Sequence, residues 1–432
     1  MKAIVVGGGI LGLFAALHLE REGEDVEVVE QGAPGEWSRA AAGILEFTRF
    51  SINRINARGY PARYLGMLLR GDTRVRTLDA AWIRAYIRAW GRDPPRGMWD
   101  AVRELGDTSR REYRALAEGA NDFDYVEEPI YEIGGDVGMA LAEARRDPLL
   151  PRVEAGECCG GEALVYLDAA KLSTDAFIGR ILRELGRARI VRARVLGVRP
   201  ESGEVLLEGG RIERADVVVA AAGYWTRTLG VPVAPFKGYG FVTDARADGP
   251  FVDLRSGIAV VPLAGRTKVT GRFDLDATQD NAPARRVLRR SREILGEFEA
   301  ADMAVGYRPC TPDGFPIVDR MGSVVVATGA CRLGWTYAPA LGRLAADLAL
   351  GRRGPGVFGA GRFRGRRARR KRDPRAGSDP ALPGQFAEVV LLRRARARRN
   401  APTGDDQLRS ELPTSSDVGF SPPGLTRSYP LE

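Results

Sequence analysis

One histidine, His18, serves 432 residues, and its place in the first apolar stretch reads as helix packing. No histidine base is therefore on offer to a reaction. Lysine is almost as scarce: besides Lys2, the first 351 residues hold only Lys171, Lys237 and Lys268, while arginine is abundant. Four cysteines, with Cys158 and Cys159 adjacent and Cys310 and Cys331 distant, form neither a disulfide framework nor a zinc spacing, so no metal is expected. Cytoplasmic residence is the default that follows. No long uncharged apolar run is present, which excludes a membrane-spanning segment. The N-terminal apolar stretch carries His18 and Glu20 and is needed as a strand and helix, so it is not read as a signal peptide. The net charge of +9 is localised: residues 352–432 carry +10 and residues 1–351 carry −1, so the body implies no nucleic-acid surface.

What is present begins at residue 2. KAIVVGGGILGLFAALHL, followed shortly by VEVVEQ, reads as a buried strand, a glycine turn, a helix and a second strand ending at Glu30 and Gln31. In that order the glycines have separate tasks. Gly7 permits a tight turn, Gly9 lets the amides of Ile10 and Leu11 approach a pyrophosphate at the helix N-terminus, and Gly12 allows close packing. Glu30 is placed to accept hydrogen bonds from a ribose diol. The fingerprint specifies a dinucleotide without saying which.

Length predicts two domains. Residues 60–120 read as helices, with apolar residues at helical spacing in 80–90 and 99–116. NDFDYVEEPIYEIGG reads as a strand or hairpin, and a helix is expected from an N-cap at Asp168. Short strands follow in ARIVRARVLGVRP, GEVLLEGG and RIERADVVVAAAG. FVDLRSGIAVVPL and RTKVTGRFD alternate as strands of a second sheet. Residues 284–298 are helical, and SVVVATGA with PALGRLAADLAL closes a strand–helix unit. Beyond about Phe363 the sequence turns basic and rich in Ser, Pro and Gly, which reads as disorder.

Two later segments bear on the cofactor. ADVVVAAAG ends in Ala222 and Gly223, small enough for a strand end to approach a nucleotide, and VGYRPCTPDGFPIVDRMGSVVVATGACRLGWTYAPALG runs from Val305 to Gly342. With these the chain resembles the D-amino-acid oxidase superfamily of FAD enzymes over about residues 1–363. FKGYG at 236–240 and LGWT at 333–336 are similar to its D-amino-acid and dye-linked proline dehydrogenases. The resemblance implies an α/β fold: a Rossmann-type, glutathione-reductase-like FAD-binding domain, discontinuous in sequence (1–50, 150–228 and 305–363). A second α+β substrate-binding domain on an antiparallel sheet (51–149 and 229–304) and the tail 364–432 complete it.

It also implies noncovalent FAD. The attachment cysteine of sarcosine-oxidising relatives falls at about Gly306, and Cys310 reads as a small buried residue. Cofactor contacts implied by the resemblance extend from the fingerprint to Ser38, Ala41, Ala42, Gly43 and Ile44 in the SRAAAG loop, to Val195, Ala222 and Gly223, and to Gly306, Arg308, Gly329, Arg332, Leu333, Gly334, Trp335 and Thr336. Arg308, in GYRP, takes the place of the substrate-carboxylate anchor; a planar guanidinium suits that task. Lys237, Tyr239 and Arg332 are the further catalytic candidates, and Arg255 is a candidate beside Tyr239 for the place of the oxidase relatives' tyrosine.

The implied reaction is hydride transfer from the α-carbon of a D-amino acid or proline to flavin, giving an imino acid, and needs no strong protein base. The lysine that helps oxygen in some oxidase relatives has no counterpart between Lys268 and Lys371, which favours a dye or quinone acceptor. An FAD oxidase of glycine or sarcosine type, a dehydrogenase of a 2-hydroxy acid, and docking of the tail on a membrane or RNA stay open. So do a homodimer and a peripheral position at the inner membrane face; nucleic acid is not expected as a partner.

Overall fold

Strands Lys2–Val6 and Val217–Ala220 are apolar at every buried position because both faces of their sheet are covered. The computed structural model describes residues 1–363; the basic stretch 364–432 lies outside the described residues. The sheet has six strands, in the order Ile317–Met321, Val324–Thr328, Val217–Ala220, Lys2–Val6, Asp25–Glu30 and Arg189–Arg192. All neighbours are parallel except Ile317–Met321 and Val324–Thr328. Two helices, Ile10–Arg21 and Gly334–Ala349, pack together on it so closely that a Cβ on Gly342 would stand 2.6 Å from Phe14 Cβ.

A second sheet of eight strands runs Ala300–Cys310, Ala234–Thr243, Arg266–Leu275, Ile258–Leu263, Phe251–Asp253, Ile130–Ile133, Gly161–Tyr166 and Val153–Cys158. It is antiparallel but for the pairing of Phe251–Asp253 with Ile130–Ile133. The strands at 153–166 and 300–310 fall largely in segments given on sequence to the cofactor-binding domain, yet they pair here. A three-stranded sheet over 195–214 and a two-stranded ladder complete the pairing.

That ladder corrects one expectation. Asp168 does not cap a helix. Ala169–Lys171 pairs with Ile44–Glu46, and the helix starts later, at Thr174–Glu184, with Ser173 Oγ accepting from the Ala176 amide. Asp168 instead accepts from Arg152 and Thr48. The helices Tyr60–Leu69, Ala80–Ala89, Met98–Gly119 and Ala284–Leu295 lie where the periodicity put them, whereas Val137–Ala144 is one the sequence reading did not place; Asp79 caps Ala80–Ala89 through the Trp82 amide at 2.8 Å.

The cysteines bring the second correction. Cys310 and Cys331 are disulfide-bonded, with Cα atoms 4.3 Å apart. A spacing of 21 residues gives no sign of it. The contact arises because Cys310, at the end of its strand, forms an isolated antiparallel bridge with Ala330. The bond also removes the cysteine-based argument for a reducing compartment. Among the described residues no helix is long and apolar enough to cross a membrane, and no cluster of metal-ligating side chains occurs.

Candidate active site

The glycine turn is built as its sequence requires. Gly7 adopts φ +107°, and a Cβ there would lie 2.7 Å from Ala221 O; a Cβ on Gly12 would lie 1.9 Å from Gly7 O. Strand, turn and helix are thus in contact through backbone alone. Gly9 is the N-cap of the helix and has no capping side chain of its own, so amides of its first turn are left to other acceptors. Ser38 Oγ takes the Ile10 amide at 3.1 Å. Glu30 is buried at the end of its strand, holding the Gly8 amide at 2.7 Å and the Gly32 amide at 3.1 Å. A carboxylate offers about four lone-pair sites, so two remain for a diol. Gln31 is exposed beside it, and Val195 lies just beyond Ala193, whose amide donates to Glu30 O.

The loop 31–43 crosses from this turn to the second sheet. Its backbone meets glycines there: a Cβ on Gly306 would sit 2.9 Å from Trp37 O, and one on Gly240 2.7 Å from Ala40 O. Ala41, Ala42 and Gly43 follow, Gly43 at φ +84° with Leu172 O filling its Cβ position. Trp335 Nε1 donates to Ser38 O at 3.0 Å, and the Glu46 amide, two residues beyond Ile44, donates to Thr336 Oγ1. The LGWT turn therefore reaches the middle of the loop and the strand that follows it. Ala222 and Gly223 follow the strand beside the fingerprint, with Gly223 O held by Thr226 and Thr328 hydroxyls. Cβ positions at Gly223 and Gly334 meet no atom within 4 Å. A helix N-terminus with a serine beside it, a carboxylate with spare acceptor sites and small residues bordering open space together fit an FAD molecule.

The third group is cationic. Arg308 lies on the edge strand Ala300–Cys310 of the larger sheet, with Nη1 donating to Arg272 O at 3.1 Å; a Cβ on Gly238 would meet that nitrogen at 2.2 Å. Arg332 follows the turn Gly329–Cys331, where Gly329 has φ +86° and Cys331 φ +50°. Its Cζ stands 4.1 Å from the Phe273 ring centroid, while that of Arg308 is 5.8 Å from the same ring. Neither guanidinium has a carboxylate within salt-bridge distance among the described residues. The nearby acids are engaged elsewhere: Asp274 by Arg272, and Asp276 and Asp280 by Arg74.

Burial, reinforced by Arg332, pushes Arg308 down to about 10. Arg332 exposes more than a third of its surface, yet it lies deep enough in the protein that desolvation lowers its pKa as well. Around them stand aromatic rings: Phe273 stacked on Phe236 at 4.3 Å, Tyr64 edge-on to Phe236, and Tyr60 stacked on Tyr64. Tyr60 Oη is shielded from solvent and has no hydrogen-bond partner among the described residues; Arg332 is the largest charged influence on it.

Lys237 and Tyr239 do not belong to this group, contrary to the sequence reading. Lys237 pairs with Tyr307, one position along from Phe236 and Arg308, so alternation sends it through the opposite face of the sheet. There it is fully buried and donates to Thr278 O and Asp280 O at 2.7 and 2.8 Å. Tyr239 shares that face, packed with Phe241 and Val287, its hydroxyl without a partner. Arg255 sits in a hairpin loop, its Nε donating to Gly134 O. His18 is buried in its helix with Nε2 3.2 Å from Pro339 O, and burial lowers it to about 4. Sequence reasoning missed Phe273 and Tyr60, because nothing in a strand or a helix start marks an aromatic ring that a distant turn will cover. Cys310 is engaged with Cys331 and is not free to bond a flavin.

The family model for DAO, FAD dependent oxidoreductase, matches residues 2–348. The chain is 64% identical to a D-proline dehydrogenase of Pyrobaculum islandicum, over 84% of this chain and all of that one. It is 30% identical to a D-amino acid dehydrogenase of Methylobacterium radiotolerans, over 82% of this chain and 96% of the other. Among solved structures, glycine oxidase from Geobacillus kaustophilus aligns with a TM-score of 0.61 at 19% identity, covering 84% of this chain and 98% of its own, a likeness of fold.

Proposed function

The chain belongs to the DAO family of FAD dependent oxidoreductases, and from that premise we propose that it is a dehydrogenase of D-amino acids whose preferred substrate is D-proline. The observation that carries this reading is the pair of guanidiniums, Arg308 and Arg332, set about one phenylalanine with no carboxylate of the protein's own. A charge in that setting is costly unless a ligand supplies its opposite, and an amino-acid carboxylate does so. Tyr60 Oη offers a third donor to the same anion. Phe273, Phe236 and Tyr64 present an apolar wall that suits a pyrrolidine ring.

FAD, when bound, supplies the acceptor for the hydride that leaves the α-carbon. The protein's own share is binding, orientation and exclusion of water. The fingerprint turn, Ser38 and Glu30 would hold the adenosine diphosphate half, and Gly306, Gly334 and the LGWT turn would border the flavin half. The two arginines fix the carboxylate and thereby the α-carbon. Their charge also disfavours a protonated amine next to it, so the substrate is poised as the neutral amine without a protein base.

An acceptor other than oxygen, of quinone type, accords with the lysines. Lys268 is buried and donates to Asp175, and no other lysine follows before Lys371.

Anaerobic mixing of the FAD-loaded chain with D-proline, L-proline, other D-amino acids, sarcosine and 2-hydroxy acids tests the assignment through bleaching of the visible flavin band. D-proline is expected to bleach it fastest and a dye to restore it. Faster bleaching by L-proline, sarcosine or a hydroxy acid would replace the substrate, and brisk peroxide formation in air without dye would replace the acceptor.

A further inference from the structure

The disulfide between Cys310 and Cys331 takes no part in the reaction as drawn, yet it ends two residues after one arginine and immediately before the other. We propose that this bond is a positioning element that holds Arg308 and Arg332 on a single carboxylate. The inference rests on the reading of those arginines as the substrate anchors.

Three observations lead to it. First, the two guanidiniums carry like charge about the one Phe273 ring, Arg308 half-buried and Arg332 more exposed, and neither has a carboxylate partner among the described residues, so without a ligand they repel and favour separation. The Arg308 hydrogen bond to Arg272 O and the backbone behind the two residues oppose that drift. Secondly, the turn that presents Arg332 is held in a sparsely populated backbone region, with Cys331 itself at φ +50°. A non-glycine residue stays there only when its surroundings insist.

Thirdly, the surroundings do insist, and they converge on the disulfide. Both cysteines are buried, at 0% and 3% exposure. Trp82 Nε1 donates to Cys310 O at 2.9 Å, anchoring the Arg308 end. Asn53 Nδ2 donates to Ala330 O at 2.9 Å and its Oδ1 accepts the Arg332 amide at 3.0 Å, anchoring the other. The bond joins these two anchored ends. With it open, Asn53 alone ties the turn down, which loosens Cys331 in the left-handed region and lets Arg332 swing off Phe273, so a carboxylate meets one arginine in place of two. Preorganisation of this kind governs affinity more than the chemical step.

The test uses the full chain with FAD bound. Cys310→Ser opens the bond and leaves the Arg332 turn's own sequence intact. Dithiothreitol on the wild type does the same chemically, giving two electrons and two protons to form two thiols as it closes to its own cyclic disulfide. The expected result is a rise of at least tenfold in KM for D-proline, and the same rise in Kd for cyclopentanecarboxylate, the ring acid without the nitrogen, read by calorimetry. kcat is expected to stay within about threefold, and KM for D-prolinamide, which lacks the anion, within twofold.

A cooperative thermal melt establishes that the variant is folded. Should Cys310→Ser not fold, Cys310→Ala and the reduced wild type give the same readouts. Acid KM and Kd within twofold of wild type in a folded variant would overturn the proposal, as would equal losses for acid and amide, which mark general disruption. A wild type that does not bind cyclopentanecarboxylate would overturn the carboxylate reading itself, and the tether with it.

Discussion

A desolvated guanidinium without a counter-ion is costly, so Arg308, half-buried beside the more exposed Arg332 about one ring, is explained by a ligand that supplies the opposite charge rather than by the fold. Arg308 could be singled out from GYRP. Its relation to Arg332 could not, because the two meet through a strand end and a turn 24 residues apart in sequence. Lys237 looked functional as a rare lysine in an arginine-rich chain, but rarity carries no information about sheet face; one step of strand alternation separates it from the site. His18 shows the opposite case, a residue whose packing role was legible from its place in the first helix. Burial holds it neutral, down to about 4 against an ordinary 6.5. The unfolded chain then binds the proton more readily, so stability falls as pH drops from about 6.5 towards 4. The integrated loss is about 3 kcal/mol. Denaturant melts of wild type and His18→Asn across that range check it: the variant is expected to lose correspondingly less, and parallel curves would contradict the assignment.

At the scale of elements, the fingerprint was the most legible piece, since strand, turn, helix and acid each leave a local pattern and all four occur in order. The structure adds how tightly they fit. A methyl on Gly12 has no room against Gly7 O, and overpacking of this kind costs about 1–3 kcal/mol. Gly12→Ala is therefore expected to retain FAD five- to a hundredfold less well, measured by flavin lost on gel filtration. Gly161→Ala, at a position with no atom within 4 Å, is expected to change neither FAD retention nor melting temperature by more than a small amount. Equal retention by both variants would show that the turn is not the cofactor's anchor. The helix expected from Asp168 was misplaced for a reason the sequence could not display. Ala169–Lys171 finds a partner in Ile44–Glu46, more than 100 residues earlier, and that pairing delays the helix to Ser173.

Across the whole molecule, two sheets meet at one loop. Residues 31–43 run from the fingerprint to the glycines of the strands Ala234–Thr243 and Ala300–Cys310, and the LGWT turn closes on them from the far end of the chain. The family and its cofactor were legible because each motif is local. The division of strands between sheets was less so, since Val153–Tyr166 joins the larger sheet by pairings that no local pattern encodes. The disulfide was silent for the same reason. Substrate recognition turns on a carboxylate held by two arginines, and a double-mutant cycle tests that most directly. kcat/KM is measured for D-proline and D-prolinamide with wild type, Arg308→Met, Arg332→Met and the double variant. Each single substitution is expected to cost about 2–5 kcal/mol with D-proline. The double variant should cost less than the sum, because both remove one bound anion, and the amide should change little. Equal losses for acid and amide, or strictly additive losses with the acid, would contradict a shared carboxylate site.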